Sequence, residues 1–480
     1  MSNTLAQLKF NELEQWLSSN QSAQATLNQV EGRVEVNGRE LLRLLLQEHI
    51  NHRGNGDVGA AIMVVNSEGK KDVLSYKRLD TRSIVTLVGS VVIRRIGYYT
   101  PQHTAIHPLD ALMQLPHRCY SYELQRRIVK MAIQGPFDEV TETVSETMGV
   151  TIPKRSAEEI LVDAADDFDT FYTSRSVNTK GYNDSIIVAS VDCKGIPMVK
   201  KELSDTPLRR GKGEKAQKKK MATVGAVFTQ QPNVRTPQQV IDSLFNTNPK
   251  TKTVHHKPHC HNKRIWASLN AGKDAFVEDV VREVKRRKYG VEKRIVAVTD
   301  GERALQQRVN RYLKGITLIL DLIHALEKVW KVAYIFHDEG SLAAQQFVRE
   351  RTLKILKGNV GQVVKGFRAS VTKRKITGNK RDTILSVCKY LYRNRSRMKY
   401  HHYLKQGFPI ASGSVEGACK NLIKDRMERS GMRWTIRTAE AMVKMRALYL
   451  SGDFNDYWGF HVGKEQKRLY SIKWNPVNIK

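Results

Sequence analysis

Three acidic residues stand where short apolar segments end or a helix begins, and their positions suggest metal-dependent chemistry. Asp192 follows IIVASV and Asp300 follows RIVAVT, so each is expected at the C-terminal tip of a buried strand. Glu416 lies in SGSVEGACKNLIKDRM, where Ser414 suits a helix N-cap. The helix carries an apolar stripe at Val415, Ala418, Cys419, Leu422 and Ile423. Carboxylates from three separate elements suit a site for two divalent cations acting on phosphodiesters.

Each acidic residue also has an ordinary structural explanation. Asp192 and Asp300 could cap strand ends, and Glu416 could be a first-turn charge that the helix dipole favours. Their combination on a strongly basic chain favours the metal site. Asp321 and His324, at i and i+3 in LDLIHALEKV, are expected to share a face near another strand tip. His324 is a candidate for a role at the site; the alternative is a hydrogen-bonded histidine at a strand-to-helix junction.

The charge balance predicts a polyanionic partner. The 480 residues hold 80 Lys and Arg against 48 Asp and Glu, a formal net charge of +32, with the excess spread from about residue 200 to the C-terminus. Such a charge favours nucleic acid over a membrane surface as the partner. A merely soluble basic protein fits poorly with the 40% hydrophobic content and the regular strand and helix patterns.

The basic residues most suited to phosphate contact fall in three segments. One is the loop after Asp192, another the stretch 365–405 with 13 Lys and Arg against one acid and with interleaved aromatic residues, and the last follows Glu416. The candidates are Arg209, Arg210, Lys218, Lys219, Lys220, Arg393, Arg395, Arg397, Lys420, Lys424 and Arg433. The aromatic residues that could stack on an unpaired base are Tyr390, Tyr392, Tyr400, His401, His402 and Tyr403.

Cysteine usage and the absence of targeting patterns indicate a cytosolic protein. The five cysteines are scattered, odd in number and without a CxxC pair. The N-terminal sequence lacks a signal-peptide pattern, and no run approaches the roughly 18 apolar residues of a membrane span. A His- and Cys-rich segment at 255–261 could bind a metal, but it has no second ligand pair at finger-like spacing and is interpreted as a polar loop.

Local patterns outline the rest of the chain. The segment SIVTLV-GS-VVIRRIGYY predicts a hairpin with Gly89 at the first central position of a II′ turn. Two helices around Gly149 have helix-turn-helix punctuation, but the second is too acidic to enter a major groove, which favours docking by its tip or a structural role. Residues 263–290 are expected to be helical, as are residues 340–406.

Several motifs together resemble bacterial insertion-sequence transposases of the Kra type. They are the strand-Asp-x-Lys-Gly element, KKMATVGAVF, the strand-Asp-Gly element, LDLIHALEKVWKVA and PIASGSVEGACKNLIKDRM followed by SGMRWT. These transposases belong to the DDE superfamily, have an RNase H-like core and are distantly related to Mutator-like transposases. The resemblance covers roughly residues 80–465, and SGSVEGACKNLIKDRM and MRW are its most specific parts.

The resemblance implies a catalytic triad of Asp192, Asp300 and Glu416 that binds Mg²⁺, with Mn²⁺ able to substitute. It also implies double-stranded DNA as the partner, both as terminal inverted repeats and as target, and a homodimer on paired ends. Two departures stand out. Cys193 occupies a position where Gly is expected, and the N-terminal region lacks zinc-binding cysteine pairs, which leaves end recognition to helices and the hairpin.

The expected fold is an α/β RNase H-like catalytic core, a mixed sheet flanked by helices, with a mostly helical insertion and an α+β N-terminal DNA-binding region. The expected segments are a helical region 1–70, a β-hairpin region 71–118, a helical, helix-turn-helix-like region 119–180, the first part of the core 181–338, a basic helical insertion 339–408, and core C-terminal helices 409–480.

The expected function is DNA transposition in a bacterial cytoplasm, on the nucleoid. The enzyme would bind transposon ends, cleave DNA by two-metal hydrolysis and join the 3′-OH to target DNA. One alternative is a related metal-dependent nuclease that does not join strands. Another is a transposon-derived DNA-binding regulator without catalysis, against which the intact triad argues.

Overall fold

The computed structural model describes residues 4–65, 71–175, 185–202, 218–245, 258–288, 293–313, 315–411 and 413–477, without the side chains of 304, 305, 414–416 and 430. The protein is mixed α/β. Its chain divides into two compact units, one formed by residues 1–173 with 454–480 and the other by residues 174–453. Within the described residues, every helix is too short or too polar to cross a lipid bilayer.

The smaller unit begins with helices that start at hydroxyl N-caps. The side chains of Thr4, Ser19 and Thr26 each accept a backbone N–H of the first turn, which satisfies a donor that has no partner within the helix. The helices are α1 (Leu5–Leu17), α2 (Asn20–Ala23) and α3 (Leu27–His52).

Five strands follow, and the first lies inside the region expected to be helical. They are β1 (Ala61–Val65), β2 (Lys71–Leu74), β3 (Tyr76–Thr86), β4 (Gly89–Thr100) and β5 (His103–Ile106). The run AIMVV of β1 is too short for a helix of its own and pairs antiparallel with β2. Strands β3, β4 and β5 form a second antiparallel sheet.

The β3–β4 hairpin is confirmed, but its turn lies two residues earlier than predicted. Gly89 is the first residue of β4 and pairs with Thr86, so Leu87 and Val88 form the loop. The Thr86 hydroxyl fixes this loop, because it donates to the Gly89 carbonyl at 2.7 Å and accepts the Val88 N–H at 3.3 Å. Gly89 has φ +125°, and a Cβ there would lie 2.9 Å from the Arg43 side chain.

The helix-turn-helix pattern is also confirmed. The next helices are α4 (Pro108–Met113), α5 (Tyr122–Ala132), α6 (Phe137–Met148), α7 (Lys154–Asp163) and α8 (Phe168–Ser174). Gly149 ends α6 in the left-handed conformation, and Pro153 precedes α7. At the tip of α7, Lys154 pairs with Asp138 at 2.7 Å and Arg155 with Glu159 at 3.2 Å. The basic tip is therefore partly neutralised within the unit.

The larger unit is built on a five-stranded mixed sheet. Its strands are β6 (Ile186–Pro197), β7 (Lys219–Gln230), β8 (Cys260–Ser268), β9 (Ile295–Thr299) and β10 (Thr317–Leu320). The spatial order is β10-β9-β6-β7-β8, with β6, β9 and β10 mutually parallel and β7 antiparallel to both neighbours. The buried apolar runs of β6, β7 and β9 are typical of strands covered on both faces.

Strand β8 corrects the prediction of a helix from residue 263. Residues 260–268 pair with β7, and only the part from Lys273 onward is helical. The apolar run Ile265, Trp266 and Ala267 fits a buried strand and a buried helix equally well, so the pairing partner decides. The strand also takes Cys260 and His261 out of the predicted polar loop, while His255 and His256 lie outside the described residues.

The helical segment between the second and third acidic residues is confirmed, and its core is continuous with that of the sheet. Val188 and Val298 from the sheet belong to the same buried cluster as Val364, Leu391 and Leu404 from this segment. The helices of the unit up to this point are α9 (Pro237–Phe245), α10 (Lys273–Lys288), α11 (Arg303–Tyr312), α12 (Leu322–Phe336), α13 (Leu342–Leu356), α14 (Val360–Lys373), α15 (Gly378–Asn394) and α16 (Tyr400–Lys405).

The C-terminal region is shared between the two units. The helices α17 (Gly413–Ala418), α18 (Asp425–Met427) and α19 (Ile436–Ser451) belong to the larger unit, with a π-helical segment, Cys419–Lys424, between α17 and α18. The helix α20 (Phe454–Leu469) and the strand β11 (Lys473–Val477) belong to the smaller unit, where β11 pairs with β1. The prediction of core helices throughout 409–480 is therefore wrong after residue 453.

A buried ion triad fixes α10 to β8 and gives a test of the packing. Glu283 is almost fully buried and accepts from Arg264 at 2.7 Å and from Arg287 at 2.9 Å. Glu283→Gln would leave two cations without their counter-charge, so we expect a loss of about 3–5 kcal/mol in unfolding free energy. Chemical denaturation measures this loss. Glu278→Gln, exposed on the same helix, should change it by less than about 0.5 kcal/mol, and an equal effect of both variants would contradict the triad's role.

Candidate active site

Parallel pairing brings three aspartates to one line across the sheet. In the β6–β9 ladder the last pair is Ser190 opposite Val298, and Asp192 and Asp300 each follow two residues later. In the β9–β10 ladder Leu320 lies opposite Thr299, which puts Asp321 opposite Asp300, and the Asp321 N–H donates to the Thr299 carbonyl at 2.9 Å. Residues in register on adjacent strands are roughly 5 Å apart and point to the same face.

Asp192 lies inside β6 rather than at its tip. The strand continues to Pro197 because its hairpin with β7 extends that far, whereas the pairing with β9 ends at Ser190. Asp192 is half-buried, and its Oδ1 accepts the Cys193 N–H at 2.7 Å. Its Oδ2 accepts the Cys419 thiol at 3.2 Å. Burial, and then the charge of Asp192, raises the pKa of Cys419, so the thiol stays protonated and donates.

Asp300 follows β9 directly, as predicted. Its Oδ1 accepts the Glu302 N–H at 2.8 Å, and its backbone carbonyl accepts the Tyr390 hydroxyl at 2.7 Å. The next residue must be glycine, because Gly301 has φ +94° and a Cβ there would lie 2.7 Å from the Tyr390 hydroxyl. Burial raises the pKa of Asp300; the Glu302 N–H lowers it, and the negative charge of Asp192 raises it further. The two carboxylates are therefore close enough to repel.

Asp321 and His324 form a charged pair beside Asp300. Asp321 is fully buried and caps α12, with its Oδ1 accepting the Ile323 N–H at 2.7 Å. Its Oδ2 lies 3.5 Å from Nδ1 of His324. This carboxylate raises the pKa of His324 to about 9 against the opposing effect of burial, and the charges of Glu327 and Asp300 add to the rise. In its protonated form His324 can donate a hydrogen bond to an anion.

Glu416 lies in α17, whose backbone packs against β6 and β7. The helix begins at Gly413, so Ser414 is inside the helix and is not its N-cap. The apolar stripe is confirmed by the burial of Ala418, Cys419, Leu422 and Ile423, while the side chains of Val415 and Glu416 are outside the described set. Glu416 precedes by three residues the cysteine that contacts Asp192, so its helix reaches the acidic site.

Most of the predicted phosphate-binding residues that the structure describes are exposed. Arg209 and Arg210 lie outside the described residues, and Lys220 and Arg397 are half-buried. The exposed ones are Lys218, Lys219, Arg393, Arg395, Lys420, Lys424 and Arg433.

Two of these groups meet at the far end of the β6–β7 hairpin. Lys219 pairs with Pro197 in the hairpin register, and its ammonium lies 2.6 Å from Glu428. Trp434, next to Arg433, is buried and donates its backbone N–H to the Pro197 carbonyl at 3.1 Å. Basic residues from β7 and from the segment after Glu416 therefore lie near Pro197, which is five residues after Asp192 in β6.

The predicted base-stacking aromatic residues are mostly structural. Tyr400 is fully buried and donates to the Leu320 carbonyl at 2.9 Å, and Tyr403 is buried beside it. Tyr390 holds the Asp300 backbone. Tyr392 is exposed, with the Arg395 guanidinium 4.0 Å from its ring centroid, and can still meet a base. The predicted stacking role is therefore wrong for Tyr400 and Tyr403, whose rings are buried.

The donor set suits a hard divalent cation. Mg²⁺ and Mn²⁺ prefer carboxylate oxygens, and a cation shared by Asp192 and Asp300 would offset their repulsion. Among the side chains that the structure describes, no three His, Cys, Asp or Glu residues form a metal-binding cluster. The third predicted ligand, Glu416, is not among those side chains.

The contact between Cys419 and Asp192 was not predicted. The two residues are 227 positions apart, and Cys419 was read only as a member of the apolar stripe. A cysteine three residues after a candidate metal ligand was the available signal, but it does not identify its partner.

Comparison with known proteins adds no assignment. No family model matches the chain, and a search of curated proteins finds no significant relative. The interpretation of the site therefore depends on the motifs and the geometry of this chain.

The His324–Asp321 pair predicts a pH-dependent stability. Because the pKa of His324 rises from 6.5 to about 9 on folding, its contribution is fully present below pH 6.5 and is lost as the pH rises through 9. Urea denaturation of wild type and His324→Gln should therefore differ most below pH 6.5 and converge above pH 9. The exposed His402→Gln serves as control. A difference that is constant with pH would contradict the pairing.

Proposed function

We propose that this chain is a DDE-type DNA transposase whose five-stranded sheet is an RNase H-like core. The observation that carries the proposal is that Asp192 and Asp300 each follow by two residues the last pair of the parallel β6–β9 ladder, Ser190 opposite Val298, and that the charge of Asp192 acts on Asp300. The segment that begins with Glu416 touches Asp192 through Cys419. The strand order, the flanking helices and the net charge of +32 are compatible with this function.

In this proposal Asp192, Asp300 and Glu416 hold divalent cations, Mg²⁺ or Mn²⁺. Such ions supply Lewis-acid polarisation of the phosphodiester and a water molecule of lowered pKa. Cys419 and the Cys193 N–H fix the orientation of the Asp192 carboxylate, and the Glu302 N–H fixes that of Asp300. His324, protonated, offers a positive charge to a substrate phosphate next to the carboxylates.

The proposed reaction cleaves DNA at transposon ends and joins the freed 3′-OH to target DNA. The exposed lysines and arginines bind the phosphate backbone of terminal inverted repeats and target. Because two ends are processed together, the working form is a homodimer on paired ends. The activity belongs in the bacterial cytoplasm, on the nucleoid.

Carboxylate substitution tests the catalytic assignment. The assay uses a labelled duplex that carries the terminal inverted repeat flanking this gene, with Mg²⁺ or Mn²⁺. Asp192→Asn, Asp300→Asn and Glu416→Gln should each lower the cleavage rate by about 100-fold or more, the loss expected when one preorganised charge is removed. DNA binding should persist. The control is the exposed Asp338→Asn, which should cleave like wild type; equal cleavage by Asp192→Asn would sink the triad.

The products separate the proposed function from its alternatives. Products in which the cleaved repeat end is joined to a supercoiled target plasmid support the transposase. Cleavage without joining, under all conditions, indicates a nuclease. Specific binding to the repeat with no cleavage by wild type indicates a DNA-binding regulator.

A further inference from the structure

A groove lies between helices α12 and α15 in the larger unit, next to the acidic site. It encloses about 430 Å³. It is lined by Lys328, Lys331, Asn379, Asp382, Thr383, Ser386, Val387 and Tyr390, and each of these side chains except Val387 carries a polar group. Lys331, Asn379 and Ser386 are exposed, so the groove is open to solvent along its length. The mechanism proposed above does not use any of these side chains except Tyr390.

Each wall of the groove is one face of a helix. On α12, His324, Lys328 and Lys331 follow at i, i+4 and i+7 and form a cationic stripe roughly 10 Å long. On α15, Asn379, Thr383, Ser386 and Tyr390 follow at i, i+4, i+7 and i+11. A stripe of positive charge therefore faces a row of amide and hydroxyl groups.

The groove begins at the candidate catalytic residues. The α12 stripe starts one turn after Asp321, at His324, whose charge acts on Asp300. On the opposite wall, Tyr390 donates its hydroxyl to the Asp300 carbonyl at 2.7 Å. The ammonium of Lys328 lies 5.2 Å from the centre of the Tyr390 ring, so the two walls meet there.

The chemistry of the walls suits phosphate groups. The ammonium groups of Lys328 and Lys331, the Ser386 hydroxyl and the Asn379 amide can donate hydrogen bonds to phosphate oxygens. The Thr383 hydroxyl donates to the Asn379 carbonyl at 2.8 Å and is not available for this. Asp382 brings a negative charge, but its carboxylate is exposed and lies 3.7 Å from Arg381, which offsets it. An open, elongated groove fits a chain of phosphates better than a single enclosed ion.

We propose that this groove holds the phosphate backbone of the DNA strand that flanks the phosphodiester bound at Asp192 and Asp300. The inference rests on the proposed function, since it takes DNA as the substrate. Lys328 and Lys331 would each contact a phosphate, while Ser386 would donate from the opposite wall. The strand would run from the acidic site along α12.

Salt-dependent binding tests the two lysines. The probe is a short fluorescein-labelled duplex with the terminal repeat, bound in the presence of EDTA so that cleavage does not contribute. For Lys328→Ala with Lys331→Ala, the slope of log K against log salt should become shallower by roughly 1 to 2, because about 0.9 is lost per phosphate contact. The matched control is Lys354→Ala with Lys357→Ala, which removes two exposed lysines of the same spacing at the C-terminal end of α13 and should keep the wild-type slope.

Neutral linkages locate the contact. Duplexes with one methylphosphonate placed stepwise from the cleavage point should weaken wild-type binding at one or two positions and have no effect there on the Lys328, Lys331 double variant. Ser386→Asp, an exposed substitution that keeps both lysines, should weaken binding at those positions as well.

The outcomes separate this inference from the proposed function. If the double variant and its control behave alike, or if no linkage loses its effect, the groove is not a phosphate site, although cleavage by wild type would still support a transposase. If wild type binds DNA with these groove effects but never cleaves it, the phosphate-binding groove is supported and the proposed transposase function is contradicted. If wild type binds no DNA, both fail.

Discussion

The register between the three parallel strands is the constraint on which the candidate site depends. Side chains alternate along a strand, so a slip of one residue between β6 and β9 would turn Asp192 and Asp300 to opposite faces. The buried runs on both sides of the register fix it, because a slip would expose them. The neighbouring β9–β10 ladder places Asp321 beside Asp300, and Asp321 raises the pKa of His324. The acidic pair, its cationic neighbour and the start of the α12 groove all follow from this alignment.

A second constraint ties the helix of Glu416 to the same strand. Cys419 contacts Asp192 from a π-helical segment. Such segments are rare in proteins, and many of those that occur lie at functional sites. Further along the chain, Trp434 pairs with the chain at the C-terminal end of β6. Its backbone N–H donates to the Pro197 carbonyl, and its carbonyl accepts the Val199 N–H at 2.9 Å. Its indole donates to the Met427 carbonyl at 3.0 Å. The segment between α17 and α19 is thus held at both ends against β6.

The strands that end in aspartate could be predicted from sequence because β9 and β10 are short buried runs that stop at a polar residue. What could not be predicted depends on partners far along the chain. The extent of β6 beyond Asp192 is set by β7, the strand state of β8 by the same neighbour, and the Cys419 contact by residues more than 200 positions apart. Burial of Tyr400 likewise depends on the sheet, since a basic, aromatic segment has the same local pattern whether its tyrosines face solvent or the core.

The central claim is that Asp192, Asp300 and Glu416 share bound metal, and iron-mediated affinity cleavage of the protein tests it most directly. Fe²⁺ replaces Mg²⁺, ascorbate and peroxide then generate radicals at the ion, and mass spectrometry maps the backbone cuts. The account predicts cuts next to residues 192, 300 and 416 that excess Mg²⁺ suppresses and that Asp192→Asn removes. Cuts confined to other segments, such as the histidines of 255–261, or cuts unchanged in the variant, would contradict it.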